Sequence, residues 1–183
     1  MKAYDQADPQ TGLRTFRFLN GLLVQAPAGA CRGCILEDEA FDSPDEIRPV
    51  YQDASIAVRQ DAEWPVPGFY VVGLRQHVGS FDQIELDTHL RMARVLRAVR
   101  KALRQLGANR VHLVQEEKHV GAHLHYWLLP LWEEVLVRQG INPRLYESNI
   151  LEYLGHFEYQ AERERITQFN DRVRGLIPEL IDT

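Results

Sequence analysis

The segment His123-Leu-His125-Tyr-Trp127-Leu-Leu-Pro130 constrains this chain more than any other. Large side chains fall at i, i+2 and i+4, and two of the three are imidazoles. In an extended strand successive side chains point to opposite faces. A strand over 123–129 therefore puts His123, His125 and Trp127 on one face and Leu124, Tyr126 and Leu128 on the other. Two imidazoles separated by two residue rises, about 7 Å, can hold a metal, attack phosphorus, or divide the two tasks between them.

The rest of the chain supplies one domain around such a strand. With 183 residues there is enough apolar surface for a real core. The net charge of −5 disfavours polynucleotide binding. No apolar run reaches the length of a membrane span, and residues 1–6 lack the apolar stretch of a secretory leader. A cytoplasmic protein without membrane or nucleic-acid partners is the expectation.

Periodicity then orders the elements. Residues 16–25 read as a strand or a short helix, and 35–45 as an acidic, exposed stretch. Residues 48–51 and 55–59 read as short strands around a turn, and 69–74 as a buried strand rich in aromatic and β-branched residues. Ser80 and Gln83 have capping-box spacing. Residues 87–105 form the clearest helix: Met92, Val95, Leu96, Val99, Ala102, Leu103 and Leu106 make one stripe, and Gly107 ends it. The arginines on its other arc (91, 94, 97, 100 and 104) read as a solvated face. Residues 110–115 form a strand, and helices are predicted over 143–157 and 162–176.

Both cysteines, Cys31 and Cys34, sit in a Cys-x-x-Cys. The spacing admits half of a zinc site, a redox pair, or two unconnected thiols. Gly33 is expected to permit the tight turn that would let two sulfurs converge.

Taken in order, Cys31-x-x-Cys34, the strand ending at Leu74, Arg75-Gln-His77, the long helix, and His123-x-His125-x-Trp127-x-x-Pro130 resemble the histidine triad (HIT) superfamily over residues 31–131. The resemblance implies an α+β fold, an antiparallel sheet of about five strands with a long helix packed on it; the C-terminal helices, read from the sequence pattern, have no counterpart in it. It divides the chain into a HIT-like domain, 1–131, and a helical extension, 132–183, packed against that domain or across a homodimer.

It further implies a structural zinc on Cys31, Cys34, His77 and His123, and a nucleophilic His125 that forms a nucleotidyl-histidine from a nucleoside phosphate ester, anhydride or phosphoramidate. Trp127 departs from the family's third histidine or glutamine. Lys118 and His119 stand where many members carry a phosphate-binding glutamine, and with Trp127 they are the candidate phosphate contacts. Two other readings accompany this one. In the first, the domain is catalytically quiet and binds a nucleotide or a protein. In the second, His123 and His125 belong to a metal centre with an open position. An acidic residue near 53–61 is a loose candidate for ribose hydroxyls, and Trp64 or Tyr70 for base stacking.

Overall fold

The computed structural model describes residues 8–38, 40–115, 117, 123–144, 146 and 149–182. Two strands, β1 (Leu13–Arg17) and β2 (Leu23–Pro27), pair as an antiparallel hairpin. The segment read as a single strand or helix over 16–25 is instead the tip of this hairpin, because Asn20-Gly21 turns the chain, with Gly21 at φ 86°. The hairpin buries Phe16, Phe18 and Ala26 against Ile47 and Ala62. Leu19 N–H also donates to Ala62 O at 2.8 Å.

A short helix α1 (Arg32–Glu37) follows. The main sheet has five antiparallel strands: β3 (Tyr51–Gln52), β4 (Ile56–Gln60), β5 (Tyr70–Leu74), β6 (Arg110–Gln115) and β7 (His125–Leu131), in the order β3-β4-β5-β7-β6. The expected α+β architecture is present. β7 begins two residues later than the alternation suggested and runs through Pro130. Its ladder with β5 ends at Leu128, so proline lies where one flank of the strand has no ladder to break.

One face of the sheet carries Ile56, Val58, Tyr70, Val72 and Leu128, all buried in the main core. The long helix α2 (Leu86–Gln105) lays Met92, Val95, Val99, Ala102 and Leu103 on that core. It ends as its sequence requires. Gly107 takes φ 97°, Ala108 N–H reaches Leu103 O at 2.9 Å, and Gly107 N–H reaches Arg104 O at 3.1 Å, which is a Schellman closure. The capping box expected at Ser80 and Gln83 does not form. These residues flank and end a 3-10 turn, Phe81–Gln83, whose first residue is capped from outside: Phe81 N–H donates to the Glu117 carboxylate at 2.8 Å.

The C-terminal region adds α3 (Glu133–Arg138), α4 (Ile150–Leu154) and α5 (Tyr159–Leu180). Among the described residues the helix predicted over 143–157 contracts to α4, where Asn149 caps the Glu152 N–H. α5 packs along α2, and its Val173 and Ile177 enter the main core. Buried polar bonds fix it there. Tyr70 OH donates to Asn170 Oδ1 at 2.9 Å, and Asn170 Nδ2 donates to Glu46 O at 2.8 Å. Glu46 accepts from Tyr159 and Arg163. The apolar stripe of α5 is thus covered within one chain. No helix of the described residues is long and apolar enough to cross a membrane.

Candidate functional site

The second face of the sheet is built from the residues that alternate with the core. Register places Ala57, Gly73 and His125 in one cross-strand row, and Arg59, Val71 and Trp127 in the next. Above these rows lie α1 and β1, and between them is a cleft of about 300 Å³ lined by His123, His125 and Trp127 together. The predicted shared face of the two imidazoles and the indole is observed.

Four residues from three separate segments converge at one end of the cleft. The potential ligand atoms of Cys31, Cys34, His77 and His123 all lie within 4.8 Å of one another. Cys31 Sγ is 3.4 Å from His123 Nδ1, Cys34 Sγ is 3.2 Å from His77 Nδ1, and Cys34 Sγ is 3.6 Å from His123 Nδ1. Tetrahedral ligation, with metal–sulfur and metal–nitrogen bonds of about 2.3 and 2.0 Å, separates sulfur from nitrogen by about 3.5 Å.

The outer atoms agree with that role. His123 Nε2 lies 2.5 Å from Leu74 O, which can only accept, so Nε2 carries the hydrogen and Nδ1 faces the sulfurs with its lone pair. Burial pushes the Cys31 thiol up, but hydrogen bonds from His123 and the Cys34 backbone outweigh it and bring it to about 6. Cys34 rises to about 11 through burial and the neighbouring Cys31 charge. Two thiolates on one spot repel each other, and a divalent cation would relieve that repulsion. The quartet fits a metal ion.

Gly33 serves this cluster differently from expectation. Its φ lies outside the left-handed region. Its importance is its missing side chain: a Cβ there would sit 2.5 Å from His123 Cγ and Nδ1.

His125 occupies the middle of the cleft. Its Nδ1 lies 2.6 Å from the backbone carbonyl of His123. The carbonyl accepts, so Nδ1 carries the hydrogen and Nε2 the lone pair. Trp127 packs beside it, with ring centroids 5.5 Å apart, and sets its edge on Phe69 at 6.0 Å. The indole is therefore both wall and packing element. Lys118 and His119 lie outside the described residues. The Glu117 carboxylate accepts from the Ser80 hydroxyl and the Phe81 N–H.

Sequence reasoning undervalued three groups. Glu37, in the stretch read as exposed, is largely buried and accepts from Arg59 at 2.9 Å and from Arg75 at 3.2 Å. Its position three residues after Cys34, on the same helix face, was the available signal. Asp61 lines the cleft, and Trp64 does as well. Burial pushes the Asp61 carboxyl up to about 6 although the Glu63 and Trp64 amides donate to Oδ1. Tyr70 is excluded, since its ring belongs to the core. At the far wall the guanidiniums of Arg14 and Arg32 both approach the Phe16 ring, 4.9 and 5.4 Å from its centroid.

The antiparallel five-stranded sheet with the long helix α2 across its back forms a histidine triad fold. Solved structures of that family share it. A Zn-bound histidine triad family protein from Mycobacterium smegmatis matches with a TM-score of 0.51 at 16% identity, over 83% of this chain and 96% of that one. A hypothetical histidine triad nucleotide-binding protein from Sulfolobus tokodaii strain 7 matches with a TM-score of 0.53 at 21% identity, over 82% and 93%. No protein-family model matches the sequence, and neither does any curated protein.

Proposed function

We propose that this protein is a nucleotidyl hydrolase or transferase that works through His125. The observation that carries the reading is the His125 tautomer: Nδ1 is tied to the His123 carbonyl within a cleft that the ring lines. The remaining nitrogen, Nε2, then has the lone pair needed to attack the α-phosphorus of a nucleoside phosphate ester, anhydride or phosphoramidate. An N–P bond forms, the bond to the leaving group breaks, and the leaving group departs with the electron pair and takes up a proton. Water or another acceptor then attacks phosphorus, and the N–P pair returns to Nε2.

In this reading Trp127, Lys118 and His119 contact phosphate, the indole through its single N–H. The Asp61 carboxyl is the acceptor for ribose hydroxyls. Cys31, Cys34, His77 and His123 hold a structural zinc, which fixes α1 and the start of β7 and occupies no position open to substrate. That closed quartet argues against the open metal centre. A homodimer is part of the same reading and is checked by sedimentation.

A second reading, a nucleotide-binding domain without turnover, is favoured by Trp127, which lines the cleft yet cannot shuttle a proton.

Incubation with adenylyl and uridylyl substrates, acid-labile adduct detection and peptide mapping separate the two. The enzyme reading expects a nucleotidyl adduct on His125, lost in His125→Ala. Binding without an adduct would replace it with the second reading.

A further inference from the structure

Arg59 and Glu37 face two cavities at once. Both line the His125 cleft of about 300 Å³ and a second, polar cavity of about 380 Å³ that also holds Arg75 and Gln52. The floor continues from one to the other. Register aligns His125, Gly73, Ala57 and Gln52 in a single row across four strands. The two middle members have almost no side chain. Among the described residues the row is crossed by the Arg59–Glu37 pair together with Leu36, which also lines both cavities.

The pair is firmly held. Arg59 donates from Nε and Nη2 to one Glu37 oxygen, at 3.0 and 2.9 Å, and Arg75 Nε donates to the other at 3.2 Å. The side chains of Arg59 and Glu37 are only 10% and 12% exposed. Stability alone does not ask for such a wall, because a packed apolar pair of similar volume is often as stable as a buried ion pair.

We infer that the Arg59–Glu37 pair is a specificity-determining wall that ends the cleft after one nucleotidyl group and excludes substrates with a second nucleoside. This rests on the nucleotide reading above. Ligand sites span about 300–1,000 Å³, so the walled cleft lies at the small end, suited to one nucleoside phosphate. Without the wall the joined space more than doubles, and Arg75 is left to receive the further phosphates. Removing both partners leaves the net charge unchanged, so size is altered rather than overall charge.

The test uses the full zinc-loaded chain carrying His125→Ala to prevent turnover. Calorimetry compares adenosine and uridine monophosphates with the corresponding dinucleoside tetraphosphates. With the wall intact, the monophosphate of the preferred base should bind at least tenfold more tightly than its dinucleoside counterpart. Glu37→Ala/Arg59→Ala should shrink that ratio by tenfold or more, while Glu37→Gln/Arg59→Gln, which keeps most of the volume, should preserve it. Glu37→Ala/Arg59→Met keeps a packed stem and opens the carboxylate side, so the measurement does not depend on the double alanine variant folding. An unchanged ratio in the opened variants, or an equal loss in the glutamine pair, overturns the wall. Monophosphate binding without size selectivity in the intact protein overturns the wall alone. Binding of none of the four ligands overturns the nucleotide reading and the wall with it.

Discussion

Replacing Gly33 by alanine tests the metal quartet at its tightest point. The added methyl would lie 2.5 Å from His123 Cγ and Nδ1 and 2.9 Å from its Cβ. Ordinary carbon contacts need about 3.5 Å, so ring and helix must separate by about 1 Å. The ring has little room to yield, because Nε2 is bonded to Leu74 O at 2.5 Å and the residue is only 9% exposed. The displacement therefore falls on the 3.4 and 3.6 Å spacings between His123 Nδ1 and the two sulfurs. Disturbing the support of one ligand typically costs 10–100-fold in metal affinity, and moving the ligand atom itself should reach the upper end, about 100-fold or 2.7 kcal/mol. Zinc affinity is measured by competition with a chromogenic chelator, and thermal melts with and without zinc report the linked stability. Gly29→Ala is the control: its position has nothing within 4 Å of an added Cβ and needs no left-handed backbone. A Gly33→Ala protein that binds zinc as tightly as the Gly29→Ala control would refute the assignment of the quartet.

Three further outcomes follow from the charges and the core. The Asp61 carboxyl is raised to about 6 by burial, so its charged form opposes folding. That cost is absent below the unfolded value near 3.9, grows between there and 6, and is complete above 6. Asp61→Asn should accordingly gain stability, on the order of 1–3 kcal/mol, at pH 8 but not at pH 4 in urea denaturation; equal gains at both pH values would contradict it. Asp53 behaves in the opposite way. Burial raises it, but the Ser55 backbone, Arg91 and Tyr51 outweigh that and hold it at about 2, so its contribution is present above the unfolded value and is lost as the pH falls from about 4 towards 2. After discounting for solvent screening, Asp53→Asn should cost about 1 kcal/mol at pH 7 and almost nothing at pH 2, checked by the same urea denaturation. Tyr70→Phe should cost about 1–3 kcal/mol by leaving Asn170 Oδ1 buried with its tyrosine donor removed; an unchanged denaturation midpoint would show that this bond does not anchor α5.

The parts of the fold legible in the sequence share one property: their evidence is local. Alternation over 123–129 placed His123, His125 and Trp127 on one face, and the stripe of α2 with its closing Gly107 required only neighbours within a few turns. The helix predicted over 143–157 was overextended because apolar spacing there serves contacts such as Tyr153 OH with Pro130 O and the Trp132 N–H, rather than a continuous amphipathic face. Glu37 was read as solvent-exposed because acidic runs usually are. The two arginines that bury it, one on β4 and one just past the end of β5, lie 22 and 38 residues away.

The sequence by itself determined which residues could do chemistry and which sides of their elements they would occupy, since strand and helix periods are properties of a few consecutive peptide units. Tertiary structure alone decided who meets whom. It brought Cys31 to His123 across 92 positions, made Gly33 a matter of space rather than of turning, and set an ion pair across the floor of the cleft. Such encounters depend on how whole elements pack, and packing joins surfaces that the order of residues along the chain does not pair in advance.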